Sequence, residues 1–216
     1  MLKGAPATPS PRRFMFTAVA AVFLLLGCAE KGPILLSVGY LPPAEKAGIA
    51  TKGTIGVSLF KDNRGKPAST IGKRTITSGL EDDFVVQGTV AELVTARFTD
   101  ALKTRGSEVK NIEAWDLTPE GIRGEGVNVV ISGEIKTLWL ESVSVPFKTN
   151  LKAAVQLRIV AGDPVEKKIL RAIEVNSKLE QDVMYSREKL EGVLSEALSS
   201  ALDQIFRDDE LKKRLQ

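Results

Sequence analysis

Residues 129–139 read VVISGEIKTLW, residues 151–159 read LKAAVQLRI and residues 169–179 read ILRAIEVNSKL. In each stretch apolar residues alternate with polar or charged ones, which is the pattern of a half-buried β-strand. The links between the stretches are short, and the second contains Gly162-Asp163-Pro164, a run of turn-forming residues. Three consecutive strands joined in this way predict an antiparallel meander.

The alternation also predicts which residues of the meander share a face, because successive side chains of a strand point to opposite sides. The predicted sets are Val129, Ile131, Gly133, Ile135, Thr137 and Trp139 on the first strand, Leu151, Ala153, Val155, Leu157 and Ile159 on the second, and Ile169, Arg171, Ile173, Val175, Ser177 and Leu179 on the third.

Two helices flank the meander in sequence. Thr89 and Glu92 have the spacing of a capping box, an apolar stripe at helical spacing follows them, and Gly106 supplies the stop. Ser186 is the predicted N-cap of a second helix, whose stripe runs from Leu190 to Phe206. Beyond it we expect only a short charged turn up to Leu215.

The remaining segments complete an α+β order. Residues 54–60 alternate as a strand, residues 66–88 predict irregular structure or a hairpin, and a short apolar patch lies around Val109 and Ile112. The resulting prediction is a single α+β domain over residues 54–216, a mainly antiparallel sheet with two helices packed on one face.

The N-terminus has the composition of an export signal. Lys3, Arg12 and Arg13 are basic, no acidic residue precedes Glu30, and Phe14 to Leu26 is an uncharged run of 13 residues. Because a membrane-spanning helix needs about 20 apolar residues, this run is typical of a signal-peptide core instead.

Leu25-Leu26-Gly27-Cys28 follows and resembles the lipobox of bacterial lipoproteins. The resemblance implies a signal peptide over residues 1–27, cleavage between Gly27 and Cys28, a diacylglycerol thioether on Cys28 and acylation of the new amino group by a fatty acid such as palmitate. Since Ala29 stands where aspartate would signal inner-membrane retention, it also implies an outer-membrane lipoprotein facing the periplasm.

Residues 28–53 are rich in proline and glycine, which predicts a tether, and the lipobox resemblance implies that lipid on Cys28 anchors it. Within them, residues 34–41 are too apolar for a pure linker. Two interpretations stay open: an edge strand lying against the domain, or a segment that adds to a partner's sheet or contacts the membrane surface.

Composition excludes several classes of function. The chain has no histidine and one cysteine, which excludes histidine-based triads, histidine-ligated metal sites and an internal disulfide. Its net charge of +3 comes from 30 basic and 27 acidic residues, and cleavage after Gly27 would leave 27 of each. We therefore predict no nucleic-acid partner.

Candidate sites beyond Cys28 are few. Asp62, Asn63 and Arg64 are a candidate recognition loop, with an ordinary turn as the alternative. Ser186 and Lys189 match the S-x-x-K pattern of penicillin-recognising enzymes, but the motifs that accompany it there are missing. We predict no catalytic residue, no metal site and no cofactor.

The order of elements resembles the YajG-like family of outer-membrane lipoproteins and the amino-terminal domain of TolB. The resemblance rests on the strand Ile55 to Leu59, the following Phe60 to Arg64, Ile71-Gly72, and the two predicted helices. It implies the fold and the compartment, and it provides no catalytic residues that could be assigned to this chain.

These observations predict a non-enzymatic, membrane-anchored accessory or scaffold module that binds another envelope protein through a sheet face or edge. The alternative is a carrier or chaperone that holds a lipid or other amphiphile between the sheet and the helices.

Overall fold

The computed structural model describes residues 32–44, 53–76 and 79–215, and the chain from Pro33 onward forms one compact unit. Its strands are β1 (Ile34–Leu35), β2 (Thr54–Val57), β3 (Lys61–Asp62), β4 (Thr70–Thr75), β5 (Glu81–Val85), β6 (Glu108–Asn111), β7 (Val129–Val145), β8 (Lys148–Asp163) and β9 (Lys168–Val183). Its helices are α1 (Val90–Thr104), α2 (Arg187–Ile205) and α3 (Asp209–Leu215).

Strand β7 organises the sheet. One of its edges pairs antiparallel with β8, which pairs antiparallel with β9, so the predicted meander is confirmed. Its other edge pairs in succession with β2, β3 and β4, all parallel to it. The sheet is therefore mixed rather than mainly antiparallel. The parallel pairs join segments that are distant in sequence, and strand periodicity does not reveal them.

The shorter strands extend the sheet on the far side of β7. Strands β4 and β5 form an antiparallel hairpin, the second of the two predictions for residues 66–88. Strand β1 pairs parallel with β5, and β6 pairs parallel with β2. Strand β2 ends at Val57, and Leu59 is 46% exposed, so the predicted strand up to Phe60 is too long.

A β-bulge at Lys136 changes the faces of β7. Ile135 stands opposite Leu157 and Thr137 opposite Gln156, so Lys136 is an extra residue. Beyond it, Leu138 and Leu140 are fully buried. The prediction that Thr137 and Trp139 share a face with Ile135 is therefore wrong, because one inserted residue exchanges the two faces.

Strand β9 contains a second irregularity. Arg171 pairs with Ala161 and Ile169 with Gly162, which leaves Leu170 as the extra residue. Ile169 packs on a different apolar cluster from Ile173, so the prediction that these two share a face is also wrong.

The helix caps agree with the sequence. The Thr89 N–H donates to Glu92 Oε2 at 2.8 Å and the Glu92 N–H donates to Thr89 Oγ1 at 3.2 Å, which is a complete capping box. Ser186 caps α2, as predicted. The predicted charged turn is the helix α3, and its first turn is capped by Asp208, whose Oδ1 accepts the Leu211 N–H at 2.8 Å.

Helices α1 and α2 cover one face of the sheet. The Phe98 ring lies 5.6 Å from the Phe60 ring and 6.2 Å from the Phe206 ring, and it joins both helices to the sheet. We call the opposite side the outer face. Residues 112–127 cover its part nearest the start of β7, with a smaller core of Trp115, Ile122, Val127, Val130 and Val160.

Candidate functional site

Gly27 and Cys28, the predicted cleavage and lipidation residues, lie outside the described residues, and their role stays a prediction. Among the helices that the structure describes, none is both long enough and apolar enough to cross a membrane.

The candidate recognition loop is held together by an internal ion pair. Arg64 Nε donates to Asp62 Oδ1 at 2.8 Å, and Arg64 Nη2 donates to Asp62 Oδ2 at 2.7 Å. Arg64 Nη1 donates to the carbonyl oxygen of Thr70 at 2.6 Å. The Arg64 side chain is 2% exposed, so the guanidinium fixes the entry into β4.

This arrangement limits what the loop offers to a ligand. The hydrogen bonds from Arg64 hold the pKa of the Asp62 carboxyl below its usual range. Asn63 is exposed, and its Nδ2 donates to Glu134 Oε1 at 3.0 Å. The recognition role of Asp62, Asn63 and Arg64 stays a prediction, and the guanidinium is already occupied within the loop.

Residues 36–41 run as an extended strap along α2. The backbone N–H groups of Ser37, Gly39 and Leu41 donate to Glu191 Oε1, Ser195 Oγ and Ser199 Oγ at 2.9, 3.0 and 2.8 Å. Leu36 and Val38 are buried in the main core. Of the two interpretations of residues 34–41, the structure places this segment against the domain, ahead of the predicted domain boundary at residue 54.

The strap ends at a small polar cluster. Tyr40 Oη donates to Asp203 Oδ1 at 2.8 Å and accepts from Arg105 Nη1 at 2.5 Å. Arg105 Nη2 donates to the same carboxylate oxygen at 2.6 Å. Burial raises the pKa of the Tyr40 hydroxyl to about 12, and the hydrogen bond from Arg105 opposes the rise. The cluster ties the strap to both long helices.

Trp139 is half-buried on the outer face, between two shallow hollows. The hollow on the β4 side has a volume of about 430 Å³ and the hollow on the β9 side about 420 Å³, and Thr137, Trp139 and Glu141 line both. Lys66 Nζ lies 5.1 Å from the centre of the indole, within range of a cation–π contact. We call the lining of the two hollows the Trp139 surface.

The charges around Trp139 are largely balanced. Lys73 pairs with Glu81 at 3.0 Å, Lys152 pairs with Glu180 at 3.3 Å, and Lys136 pairs with Glu174. These ion pairs are exposed and form a polar rim around the aromatic ring. The Trp139 surface thus has an aromatic centre and a border of mixed charge.

Ser186, the first residue of the S-x-x-K pattern, acts as a helix cap. Ser186 Oγ accepts the Lys189 N–H at 3.2 Å, as expected for an N-cap. Within residues 32–44, 53–76 and 79–215, no group of three or more acidic or cysteine side chains is placed to hold a metal ion.

Two features of the site are not predicted from the sequence: the outward face of Trp139, and the hydrogen bonds between the strap and α2. The bulge at Lys136 puts Trp139 on the outer face, and the residue type at position 136 does not indicate a bulge. The contact with the strap does have an indicator in the sequence, because Ser195 and Ser199 are polar residues four apart inside the apolar stripe of α2. Buried hydroxyls at that spacing indicate partners, here the strap's backbone.

Comparison with known proteins shows the fold. No protein-family model and no curated protein matches the chain. A DUF330 protein from Xanthomonas campestris has a TM-score of 0.58 and 9% identity over 83% of this chain and 95% of its own. The PelC dodecamer protein from Paraburkholderia phytofirmans gives 0.39 and 10%, over 74% and 94%. The lipoprotein GNA1162 from Neisseria meningitidis gives 0.37 and 14%, over 73% and 100%. The chain thus shares its fold with the Xanthomonas protein.

Proposed function

We propose that this chain is a lipid-anchored, non-enzymatic module of a bacterial envelope that binds another envelope protein through the Trp139 surface. The observation that carries the proposal is the position of Trp139, an aromatic ring at the centre of an uncovered sheet face. Tryptophan is enriched among the residues that dominate binding energy, and such residues lie inside a rim of polar contacts.

The charge pattern favours a protein partner over an anionic ligand. Of the five lysines that line the Trp139 surface, Lys73, Lys136 and Lys152 pair with glutamates, which lowers the positive potential that a phosphate-rich partner would need. Mixed charges instead give orientation and specificity to a protein contact. We therefore propose no nucleic-acid partner and no cofactor.

The packing between sheet and helices favours this proposal over the amphiphile carrier. Val94 and Phe98 of α1 and Leu198 and Leu202 of α2 are 0% exposed and fill that layer. Trp139, which the sequence pattern grouped on one face with Ile135, belongs instead to the outer face. The indole is therefore available to a partner rather than to an enclosed chain.

The anchor belongs to the same proposal. Cys28 would carry diacylglycerol and palmitate, and three acyl chains exceed the two signals that stable membrane attachment requires. We place the protein at the outer membrane, facing the periplasm, because Ala29 follows the modified cysteine.

A site-specific photo-crosslink tests the binding surface. A photoreactive amino acid replaces Thr137, which lines both hollows beside Trp139, in one variant and Val165, which is 86% exposed in the β8–β9 hairpin, in another. We expect one envelope protein, identified by mass spectrometry, to be captured from position 137 and not from 165. Adding Trp139→Ala should remove the adduct. Equal capture from both positions, or none from 137, contradicts the proposal.

A separate experiment tests the anchor. Radiolabelled palmitate should enter the wild-type chain and not the Cys28→Ala variant, because the thiol is the site of attachment. Density-gradient separation of the two membranes then reports the location. Label in the variant, or wild-type protein in the inner membrane, would refute the corresponding part of the proposal.

A further inference from the structure

Large exposed apolar side chains gather at one end of the sheet. Val145 ends β7, Phe147 occupies the β7–β8 turn, Met184 follows β9 and Leu80 precedes β5. Their exposed fractions are 37, 97, 76 and 51%. The strand registers place all of them at the same end, since Thr75 of β4 pairs with both Glu81 and Val143. We call these four residues the apolar tip.

Phe147 is held in an unfavourable backbone conformation. Its φ is 67°, in the left-handed region, where glycine is favoured and a bulky side chain is a clear outlier. It follows Pro146 in a two-residue link, the arrangement of a type II turn, which calls for glycine at that position. Leu117 has a similar φ of 70° but packs on the smaller core. Phe147 has no such packing to offset its strain.

The chain enters the domain from this same end. Strand β1 is parallel to β5, with Ile34 opposite Phe84 and Leu35 opposite Val85. Pro33, the residue before Ile34, therefore lies toward the end of the sheet at which β5 begins. This is the end that carries the apolar tip.

The chain length fits this geometry. Ile34 pairs with Phe84, Phe84 pairs with Gly72 and Gly72 pairs with Leu140, so Ile34 and Leu140 lie at the same height in the sheet. The seven residues from Leu140 to Phe147 rise about 23 Å. The six residues from Cys28 to Ile34 span at most about 20–22 Å. The greatest reach of six residues is therefore close to the rise that separates the level of Ile34 from the level of Phe147.

We infer that the apolar tip is a second membrane contact, which inserts Phe147 and its neighbours into the interface of the bilayer that holds the lipid on Cys28. The inference rests on the proposed anchor. Large exposed apolar groups of this kind mark membrane or protein contacts, and the position of the chain entry selects the membrane. The outer face, with Trp139, then stands roughly perpendicular to the bilayer and open to a partner.

The contact does not require anionic lipid. Lys148, beside the turn, pairs with Asp182 at 2.5 Å, and Lys73 pairs with Glu81 at 3.0 Å. The acidic side chains of Glu81, Asp82 and Asp83 lie close to the same end. The nearby charge is therefore not positive, and apolar insertion supplies the attraction. Vesicles of phosphatidylcholine alone are a sufficient probe.

Fluorescence quenching in the lipidated full chain tests the inference. Acylation of Cys28, verified by the mass of the purified protein, leaves Phe147→Cys with a single thiol for an environment-sensitive label. Val165→Cys, in the hairpin at the opposite end of β8, is the matched control. We expect nitroxide lipids to quench the label at position 147 several-fold more than at 165, and aqueous iodide to show the reverse order. Adding Val145→Asp should abolish the difference.

The other outcomes are distinguishable. With Cys28 acylated, equal quenching at both positions overturns the membrane contact while the anchor stands. Shielding from iodide without quenching by lipid overturns it in favour of a protein surface over the tip. An unmodified Cys28 removes the anchor and, with it, the inference.

Discussion

The backbone N–H of Gly39 donates to Ser195 Oγ at 3.0 Å, at the middle of a repeating contact between an extended strap and a helix. Ser37 and Leu41 make the equivalent bonds to Glu191 and Ser199. Two residues of extended chain rise about 6.6 Å and four residues of helix rise about 6.0 Å. The two periods nearly match, so every second strap amide meets every fourth residue of α2.

Removing these acceptors should loosen the strap. Ser195→Ala and Ser199→Ala each leave a partly buried backbone N–H without its acceptor, which costs about 1–2 kcal/mol. Urea denaturation should report that loss, and hydrogen exchange should accelerate at Gly39 and Leu41. The exposed neighbour Ser200→Ala is the control and should change the stability by less than about 0.5 kcal/mol. Unchanged exchange at both amides would refute the strap contact.

The Tyr40 hydroxyl should make stability depend on pH in the alkaline range. Its folded pKa, about 12, lies above the ordinary tyrosine value near 10. A raised pKa means that its contribution is complete below pH 10 and is lost as the pH rises through about 12. Tyr40→Phe should therefore lower the stability at neutral pH and flatten the loss in this window.

Two measurements check the Tyr40 prediction. The difference in free energy of unfolding between wild type and Tyr40→Phe, followed with pH, should shrink above pH 10. Tyrosinate absorbance, compared between the same two proteins, should show the Tyr40 step only near pH 12. Tyr185→Phe removes the other tyrosine and controls for general alkaline effects. A difference that grows with pH would contradict the assignment.

The sequence predicts the helices and strands of this fold better than it predicts which strands pair with one another. Local signals such as the Thr89 capping box and the Ser186 N-cap lie within one turn of the residues they affect, and both are correct. The parallel pairs of β2 and β4 with β7 depend on chain closure over tens of residues, which no local period records. The faces of β7 are predicted correctly up to Ile135, and one bulged residue reverses them afterwards.

In the candidate site, too, local features are predicted from the sequence and contacts between distant segments are not. The Asp62–Asn63–Arg64 turn is predicted from its residue types, but the inward direction of Arg64 depends on the carbonyl oxygen of Thr70, six residues away. Trp139 is identifiable as a large aromatic residue, and only the register of β7 against β8 decides which face receives it.

The loop ion pair should be essential for stability. Arg64→Lys keeps the charge and loses the planar fork that binds Asp62 and the Thr70 carbonyl oxygen, so we expect a loss of about 1–3 kcal/mol. Asp62→Asn should cost a similar amount at neutral pH. Because the folded pKa of Asp62 is lowered, the wild-type advantage should fade as the pH drops below the ordinary aspartate value near 3.9.

A double-mutant cycle separates this pair from its surroundings. Arg64→Lys combined with Asp62→Asn should cost less than the sum of the single changes, since both remove the same contact. Lys66→Gln, an exposed change in the same loop, is the control. Strict additivity in urea denaturation would mean that the two side chains do not support each other.

At position 147 we expect stability and membrane contact to favour different residues. Phe147→Asn places a residue that tolerates positive φ where Phe147 is strained, and should stabilise the domain by about 1 kcal/mol. For a domain of this size the melting temperature should rise by about 2–4 °C. Val165→Asn, an equally polar change at the opposite hairpin, should leave it unchanged. The same Phe147→Asn substitution should reduce insertion of the tip, because asparagine has no apolar ring to replace one that is 97% exposed. In the lipidated chain, nitroxide lipids should then quench a label at Met184→Cys less than they do with Phe147 present. A loss of stability would show that Phe147 serves the fold, and unchanged quenching would refute its membrane contact.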